Sequence, residues 1–191
     1  RAVDEDSSSQ NVPITNISPG PSDESGQSVT MSATSSDTAI VPNPSISGSG
    51  STRTLSYAPA ADKYGSVTIT VTANDGQTLF NTFSRTFTIT VNSVNDAPTF
   101  ESIANQTVNE DSSVQNIAIT NISPGPDSEA SQTVNLSATS SNPPLIPNPT
   151  FSGSGSTRTL TYTPTANANG TVTITVTAND GQASNNTSSR T

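Results

Sequence analysis

The sequence is a tandem duplication, and this feature constrains the possible folds more than any other. Residues 1–86 align with residues 106–191 without a gap, and roughly two-thirds of the aligned positions are identical. TNISPGP, SGSGSTRTL and VTITVTANDGQ each occur once in each copy. Because each copy is the size of a domain, we predict tandem domains rather than a solenoid of short repeats. We place the two domains at residues 1–97 and 98–191.

Alternation of apolar residues with Thr predicts β-strands in both copies. Val67–Ala73, Val172–Ala178 and Phe87–Val91 have the period of two that is typical of half-buried strands. Shorter candidates in the first copy, most with counterparts in the second, are 14–17, 29–33, 55–57 and the segments around residues 40–41 and 46. Gly, Pro and Asn clusters separate these runs, and no helical period is present.

The predicted fold class is therefore all-β. About seven short strands in each copy favour two tandem immunoglobulin-like (cadherin-like) β-sandwich domains. The second copy contains no counterpart of Phe87–Val91, so its domain is expected to lack the last strand. That domain would expose a strand edge, which a strand from another copy or a continuation of the chain would fill. We also expect neighbouring repeats of this kind in the parent protein.

The composition excludes most catalytic chemistry. The sequence has no Cys, no His and no Trp, and only 29% of its residues are hydrophobic. Ser-His-Asp triads, Cys nucleophiles and zinc sites of the usual type are therefore excluded, and we expect the chain not to be an enzyme. Six basic residues against fifteen acidic ones argue against nucleic-acid binding. No run of about 18 apolar residues is present, so this segment is not expected to insert into a membrane.

The acidic residues instead suggest calcium. They cluster near the repeat starts, in the Pro/Gly loop, after the long strand and near the junction of the two copies. Carboxylate and Asn oxygens in flexible loops are the ligands that Ca²⁺ prefers. The alternative interpretation is that these acids only keep a Ser/Thr-rich surface soluble.

The run VTANDGQTLFNTFSRTFTITVNSVNDAPTF resembles the last two strands and the linker of a cadherin repeat. Together with NEDSS, LTYTP and VNDAP, it is more closely similar to the cadherin-like tandem repeats of large bacterial surface (adhesin) proteins. The resemblance covers essentially the whole chain. It implies one or two calcium ions at the junction between the repeats.

The resemblance also implies a ligand set. In this set Glu5 would be the glutamate near the start of a repeat, and Asn95 and Asp96 would be the linker ligands. Asp127 and Glu129 would stand for the D-x-D pair, and Asp180 would be the aspartate of the turn. The linker reads VNDAP where animal cadherins have NDNAP, and Ser93 replaces the leading aspartate. Fewer carboxylates imply fewer ions than in animal cadherins.

Two functions remain open at this stage. The first is a non-catalytic stalk or filament module for cell adhesion, extracellular and on the cell surface, rigidified by calcium. Its partners would be neighbouring repeats of the same protein, or other copies joined by strand addition. The alternative is an accessory ligand- or carbohydrate-binding module of a secreted enzyme, which would require a concave face with exposed aromatic residues.

Overall fold

The computed structural model describes all 191 residues and consists almost entirely of β-strands, turns and loops. The chain forms two compact units, Arg1–Val94 (unit 1) and Asn95–Thr191 (unit 2). The domain boundary placed at residues 97 and 98 from the sequence stays a prediction. The helical content is two 3₁₀ helices of three residues each, Ser22–Glu24 and Asp127–Glu129. No helix has the length and apolar character needed to cross a membrane.

Unit 1 contains seven strands in two sheets. They are β1 (Ala2–Asp4), β2 (Gln10–Ile14), β3 (Thr30–Ser35), β4 (Ser45–Ser47), β5 (Arg53–Tyr57), β6 (Gly65–Asn74) and β7 (Thr82–Asn92). One sheet has the order β1-β7-β6-β3 and the other has the order β2-β5-β4. β1 runs parallel to β7, whereas the other neighbours are antiparallel.

The core of unit 1 lies between its two sheets. Val67 and Ile69 of β6 and Ile89 of β7 face Leu55 and Tyr57 of β5 in one apolar cluster. The alternation explains this arrangement, because every second side chain of a strand points to the same face. The two sheets therefore form a sandwich, and the all-β prediction is confirmed.

Unit 2 contains six strands, also in two sheets. They are β8 (Gln115–Ile119), β9 (Asn135–Ser140), β10 (Thr150–Ser152), β11 (Arg158–Tyr162), β12 (Ile174–Asn179) and β13 (Thr187–Arg190). The sheets have the orders β10-β11-β8 and β13-β12-β9. Ile119 and Leu160 from one sheet pack with Val176 and Ala178 from the other, and Phe100 joins the same cluster.

Three of the expected strands differ from the structure. The strand expected at Val172–Ala178 begins only at Ile174. Residues 40–41 form a turn, closed by a hydrogen bond from the Val41 backbone N–H to the Asp37 carbonyl at 3.1 Å. The strand expected at residues 14–17 ends at Ile14, because Asn16 adopts a positive φ of 57° that no strand accommodates. Asn121 has a φ of 53° and ends the equivalent strand, β8, in the same way.

Candidate functional site

The first residues of unit 2 are built into its fold. Pro98 is fully buried, and its carbonyl accepts a hydrogen bond from the Ser188 hydroxyl. Thr99 pairs with Ser123 in an isolated antiparallel bridge, with N···O distances of 2.8 and 2.9 Å. Two of the predicted ligands, Asn95 and Asp96, belong to this segment and lie where other polar groups of unit 2 converge.

An Asn-Asp-Gly turn after β12 positions Asp180. The side chain of Asn179 accepts a hydrogen bond from the Gly181 backbone N–H at 2.6 Å, and Asp180 Oδ1 accepts one from the Gln182 N–H at 2.9 Å. Gly181 has a φ of 82°, which a glycine adopts at little cost. The turn fixes one oxygen of Asp180 and leaves Oδ2 for other partners. Asp180 is only 5% exposed.

Glu129 ends the 3₁₀ helix Asp127–Glu129, which follows Pro126. Its Oε1 accepts a hydrogen bond from the backbone N–H of Asp96 at 3.0 Å. The side chain is 7% exposed, and Oε2 is buried with no hydrogen-bond partner in the protein. Burial of a charged oxygen without a hydrogen-bond partner costs free energy, and Glu129 is the only acid of unit 2 with such an oxygen.

Asn95 links these groups. Its Nδ2 lies 3.0 Å from Asp180 Oδ2 and within 3.3 Å of three backbone carbonyls, those of residues 96, 184 and 185. Its Oδ1 accepts a hydrogen bond from Gln132 Nε2 at 2.9 Å. The structure thus brings the side chains of Asn95, Glu129 and Asp180 together with the backbone N–H of Asp96, and we call these four residues the unit 2 acidic site.

The other two predicted ligands lie elsewhere. Asp127 is exposed and makes no side-chain contact with the unit 2 acidic site, so its assignment as a ligand stays a prediction. Glu5 belongs to unit 1, where it follows β1 and is 5% exposed. Its Oε1 accepts a hydrogen bond from the Val94 backbone N–H at 2.8 Å, and its Oε2 is buried without a hydrogen-bond partner in the protein.

Unit 1 contains the same side chains without the same environment. Glu24 and Asp75 are the counterparts of Glu129 and Asp180, and both are half-buried. Asp75 makes the same turn contact, because its Oδ1 accepts a hydrogen bond from the Gln77 N–H at 3.0 Å. Glu24 and Asp75 therefore provide matched positions for control substitutions.

Sequence reasoning missed Gln132. Its Nε2 orients the Asn95 amide, while its Oε1 is buried without a partner. Gln27 stands at the equivalent place of unit 1, and its Oε1 is also buried without a partner. The shared E-x-x-Q spacing after the Pro/Gly loop was the available signal, since both copies retain it among substituted neighbours.

The two sheets around one core define each unit as an immunoglobulin-like β-sandwich. The family model described as "Bacterial Ig domain" matches residues 95–191, just over half of the chain. The chain therefore belongs to the bacterial Ig domain family, as the resemblance to repeats of bacterial surface proteins led us to expect. Domains of this family are typically non-catalytic and typically occur in extracellular or surface proteins.

Comparison with curated protein sequences gives no match. Among solved structures, the chain is similar to an endo-fucoidan hydrolase of glycoside hydrolase family 107, with 17% identity and a TM-score of 0.37, and it covers 26% of that hydrolase. It is also similar to the titin domains z1z2 in complex with telethonin, with 16% identity, 89% coverage of that chain and a TM-score of 0.38. Chicken VE-cadherin EC1-2 matches with 19% identity, 94% coverage and a TM-score of 0.32. These three alignments cover 99–100% of the present chain.

Proposed function

We propose that this chain is a non-catalytic structural module of an extracellular repeat protein on the cell surface. In this role, successive domains act as a stalk that holds an adhesive region away from the cell. The duplication supports the proposal, because a repeated domain extends a chain without adding new chemistry. The absence of Cys and His from the sequence supports a non-catalytic role.

We further propose that the module binds one or two calcium ions. The supporting observation is that Glu129 and Glu5 each use one carboxylate oxygen for a backbone N–H and bury the other without a partner. A cation supplies the missing interaction for such an oxygen. Both backbone donors, those of Val94 and Asp96, flank Asn95, so calcium would stabilise the segment that connects the two units along the chain.

Calcium fits the donor set better than the other common divalent metals. The unit 2 acidic site offers carboxylate, amide and backbone carbonyl oxygens and no nitrogen or sulfur ligand, which favours a hard cation. A half-turn of the Asn95 amide would direct Oδ1 instead of Nδ2 towards Asp180. The residues expected to hold the ion in unit 2 are Asn95, Asp96, Glu129 and Asp180, and Glu5 is the expected ligand in unit 1.

Thermal unfolding with calcium and with EDTA tests this proposal. A ligand that binds only the folded state raises its stability, by about 2.7 kcal/mol at a concentration of 100 times Kd. We expect the melting temperature to rise with calcium in the natural sequence and in the matched control Asp75→Asn. Asp180→Asn should reduce the rise. A melting temperature that is equal in calcium and in EDTA would contradict calcium binding and would leave only the structural role as a spacer.

One observation favours a second candidate, the accessory ligand-binding module. Leu79 and Phe80 of the loop between β6 and β7 and Phe83 at the start of β7 are exposed, and Phe80 is fully exposed. Exposed aromatic rings are surfaces on which sugar rings stack, whereas unit 2 has Ser184, Asn185 and Ser188 at these positions. Electrophoresis in gels containing soluble polysaccharides would test this candidate. The candidate would be supported if the polysaccharide retards the natural protein but not the Phe80→Ala variant. It would be contradicted if the natural protein has the same mobility with and without polysaccharide.

A further inference from the structure

The side-chain amide nitrogen of Asn95 faces more acceptors than it can satisfy. Four oxygen atoms lie within 3.3 Å of Nδ2, namely Oδ2 of Asp180 and the backbone carbonyls of residues 96, 184 and 185. A primary amide has only two hydrogens, so it cannot donate a full hydrogen bond to all of these oxygens. Oxygens gathered in this way favour a positive charge over a neutral amide.

The other end of the same amide is held by Gln132. Gln132 Nε2 donates a hydrogen bond to Asn95 Oδ1 at 2.9 Å, and this donor keeps Asn95 Nδ2 on the side of Asp180. Gln132 Oε1 is buried without a hydrogen-bond partner. Because that oxygen accepts no hydrogen bond, the Gln132 amide loses none on that side if it turns over.

The two amides have to turn together. A half-turn of Asn95 alone would place its Nδ2 against Nε2 of Gln132, and two donors repel each other. A half-turn of both lets the unpartnered Oε1 of Gln132 accept a hydrogen bond from Asn95 Nδ2. It also turns Asn95 Oδ1 towards Asp180 Oδ2 and the three carbonyls. Such a collection of oxygens is unfavourable without a cation and matches the oxygen ligands that calcium takes.

We propose that Gln132 is a positioning residue that couples the orientation of Asn95 to calcium binding, an inference that rests on the calcium binding proposed above. In one orientation of the pair, Asn95 donates to Asp180 and Gln132 donates to Asn95. In the other, Asn95 donates to Gln132 and offers its oxygen as a ligand. The buried, unpartnered Oε2 of Glu129 belongs to the same site. Calcium binding favours the second orientation, because only that orientation supplies the Asn95 oxygen.

The substitution Gln132→Glu tests the coupling. A carboxylate only accepts hydrogen bonds, so Asn95 should turn its Nδ2 towards position 132 even in EDTA. We expect this variant to melt at a lower temperature than the natural sequence in EDTA. It should bind calcium about tenfold more tightly than the control Gln182→Glu. The control adds the same charge two residues after Asp180, on an exposed side chain that makes no hydrogen bond to Asn95.

NMR of the side-chain amides in the isotope-labelled protein reports on their orientation independently of stability. In EDTA, the Nδ2 hydrogens of Asn95 should show NOEs to residues 184 and 185 in the natural sequence, and to the side chain at position 132 in Gln132→Glu. On addition of calcium, the NOEs of the natural sequence should move to Gln132. The amide signals of Asn95 and Gln132 should shift with the same midpoint.

The possible failures are distinguishable. If neither the melting temperature nor the amide signals respond to calcium, both calcium binding and the role of Gln132 are contradicted. If the melting temperature rises with calcium while the Gln132 amide signal and the NOEs of Asn95 stay unchanged, only the role of Gln132 is overturned. Equal calcium affinities of Gln132→Glu and Gln182→Glu would also overturn it. If Gln132→Glu does not fold, the NOEs of the natural sequence decide.

Discussion

The backbone N–H of Asp96 donates a hydrogen bond to Oε1 of Glu129 at 3.0 Å, so that the start of unit 2 is fastened to the loop containing its 3₁₀ helix. The same contact buries Oε2 of Glu129 without a partner. In unit 1, Glu24 occupies the equivalent loop and remains half-buried. Identical side chains at equivalent places thus differ in burial, which allows the contribution of this contact to be measured within one chain.

Replacement of Glu129 by Gln should have opposite effects in EDTA and in calcium. The change keeps an oxygen for the Asp96 N–H and removes a buried charge, so stability in EDTA should be unchanged or higher by up to about 1 kcal/mol. In calcium the variant should lose most of the stabilisation that the ion gives the natural sequence. Urea unfolding in both buffers measures the two values.

The matched control for this experiment is Glu24→Gln. Because Glu24 is half-buried and not fully buried like Glu129, its replacement should change stability by less than about 0.5 kcal/mol in either buffer. If Glu129→Gln responded to calcium as strongly as the natural sequence, Glu129 would not be a ligand.

Gly125→Ala should destabilise unit 2 by about 1–3 kcal/mol. A Cβ at this position would overlap Oε2 of Glu129 and would lie 3.4 Å from the Cβ of Asp96. The carboxylate would have to leave its position and release the Asp96 N–H. Gly26→Ala is a suitable control, because a Cβ there meets no atom within 4 Å.

The double variant Gly125→Ala with Glu129→Ala tests the cause of this loss. If the clash with the carboxylate is responsible, the two substitutions together should cost less than the sum of their separate costs. Additive losses would show that Gly125 acts through another contact.

Replacing Ile69 by Ala should cost more than replacing its counterpart Ile174. Ile69 is fully buried in the core of unit 1, so removal of its side chain leaves a cavity and should cost about 2–5 kcal/mol. Ile174 is half-buried, so we expect about half that loss or less. Urea unfolding, monitored by fluorine or proton NMR signals that report on each unit separately, would measure the two losses of stability. Equal losses would show that Ile174 is as well packed as Ile69.

Stability should fall as the pH rises above about 10. Burial raises the pKa of Tyr57 and of Tyr162, and the nearby Arg1 charge lowers that of Tyr57 by a smaller amount. The unfolded chain therefore loses these protons at a lower pH than the folded chain, and stability is lost as the pH rises through the folded-state pKa. Tyr57→Phe with Tyr162→Phe should flatten this decline between pH 9 and pH 11.5, measured by urea midpoints. An unchanged slope would assign the decline to other groups.

Much of the fold was predictable from the sequence, because strand pairing buries one face of a period-two pattern. Val67, Ile69 and Val71 alternate with Thr, and β6 includes all of them. The ends of strands were less predictable. Asn16 and Asn121 end their strands by adopting a positive φ, which Asn tolerates better than most residues but does not require.

The candidate site was also predictable from the sequence only in part. The acidic and Asn residues near the repeat starts and junction were visible in the sequence, and four of the six proposed ligands lie together in unit 2. Gln132 was not selected, because a lone Gln carries no chemical signal until its amide is seen against Asn95. The exposure of Asp127 was also not predictable, because Asp127 and Glu129 are only two positions apart in the same 3₁₀ helix and yet only Glu129 is buried.

The sequence by itself determined the duplication, the all-β class and the absence of a thiol or an imidazole. Only the tertiary structure decided which polar groups distant in the sequence meet. Asn95 Nδ2 lies 3.0 Å from Asp180 Oδ2, because the start of unit 2 packs against the turn after β12. Glu129 Oε1 accepts a hydrogen bond from the Asp96 N–H, because the 3₁₀ helix lies beside the same segment. Pairing and burial depend on neighbours distant in the sequence, so local pattern alone does not specify them.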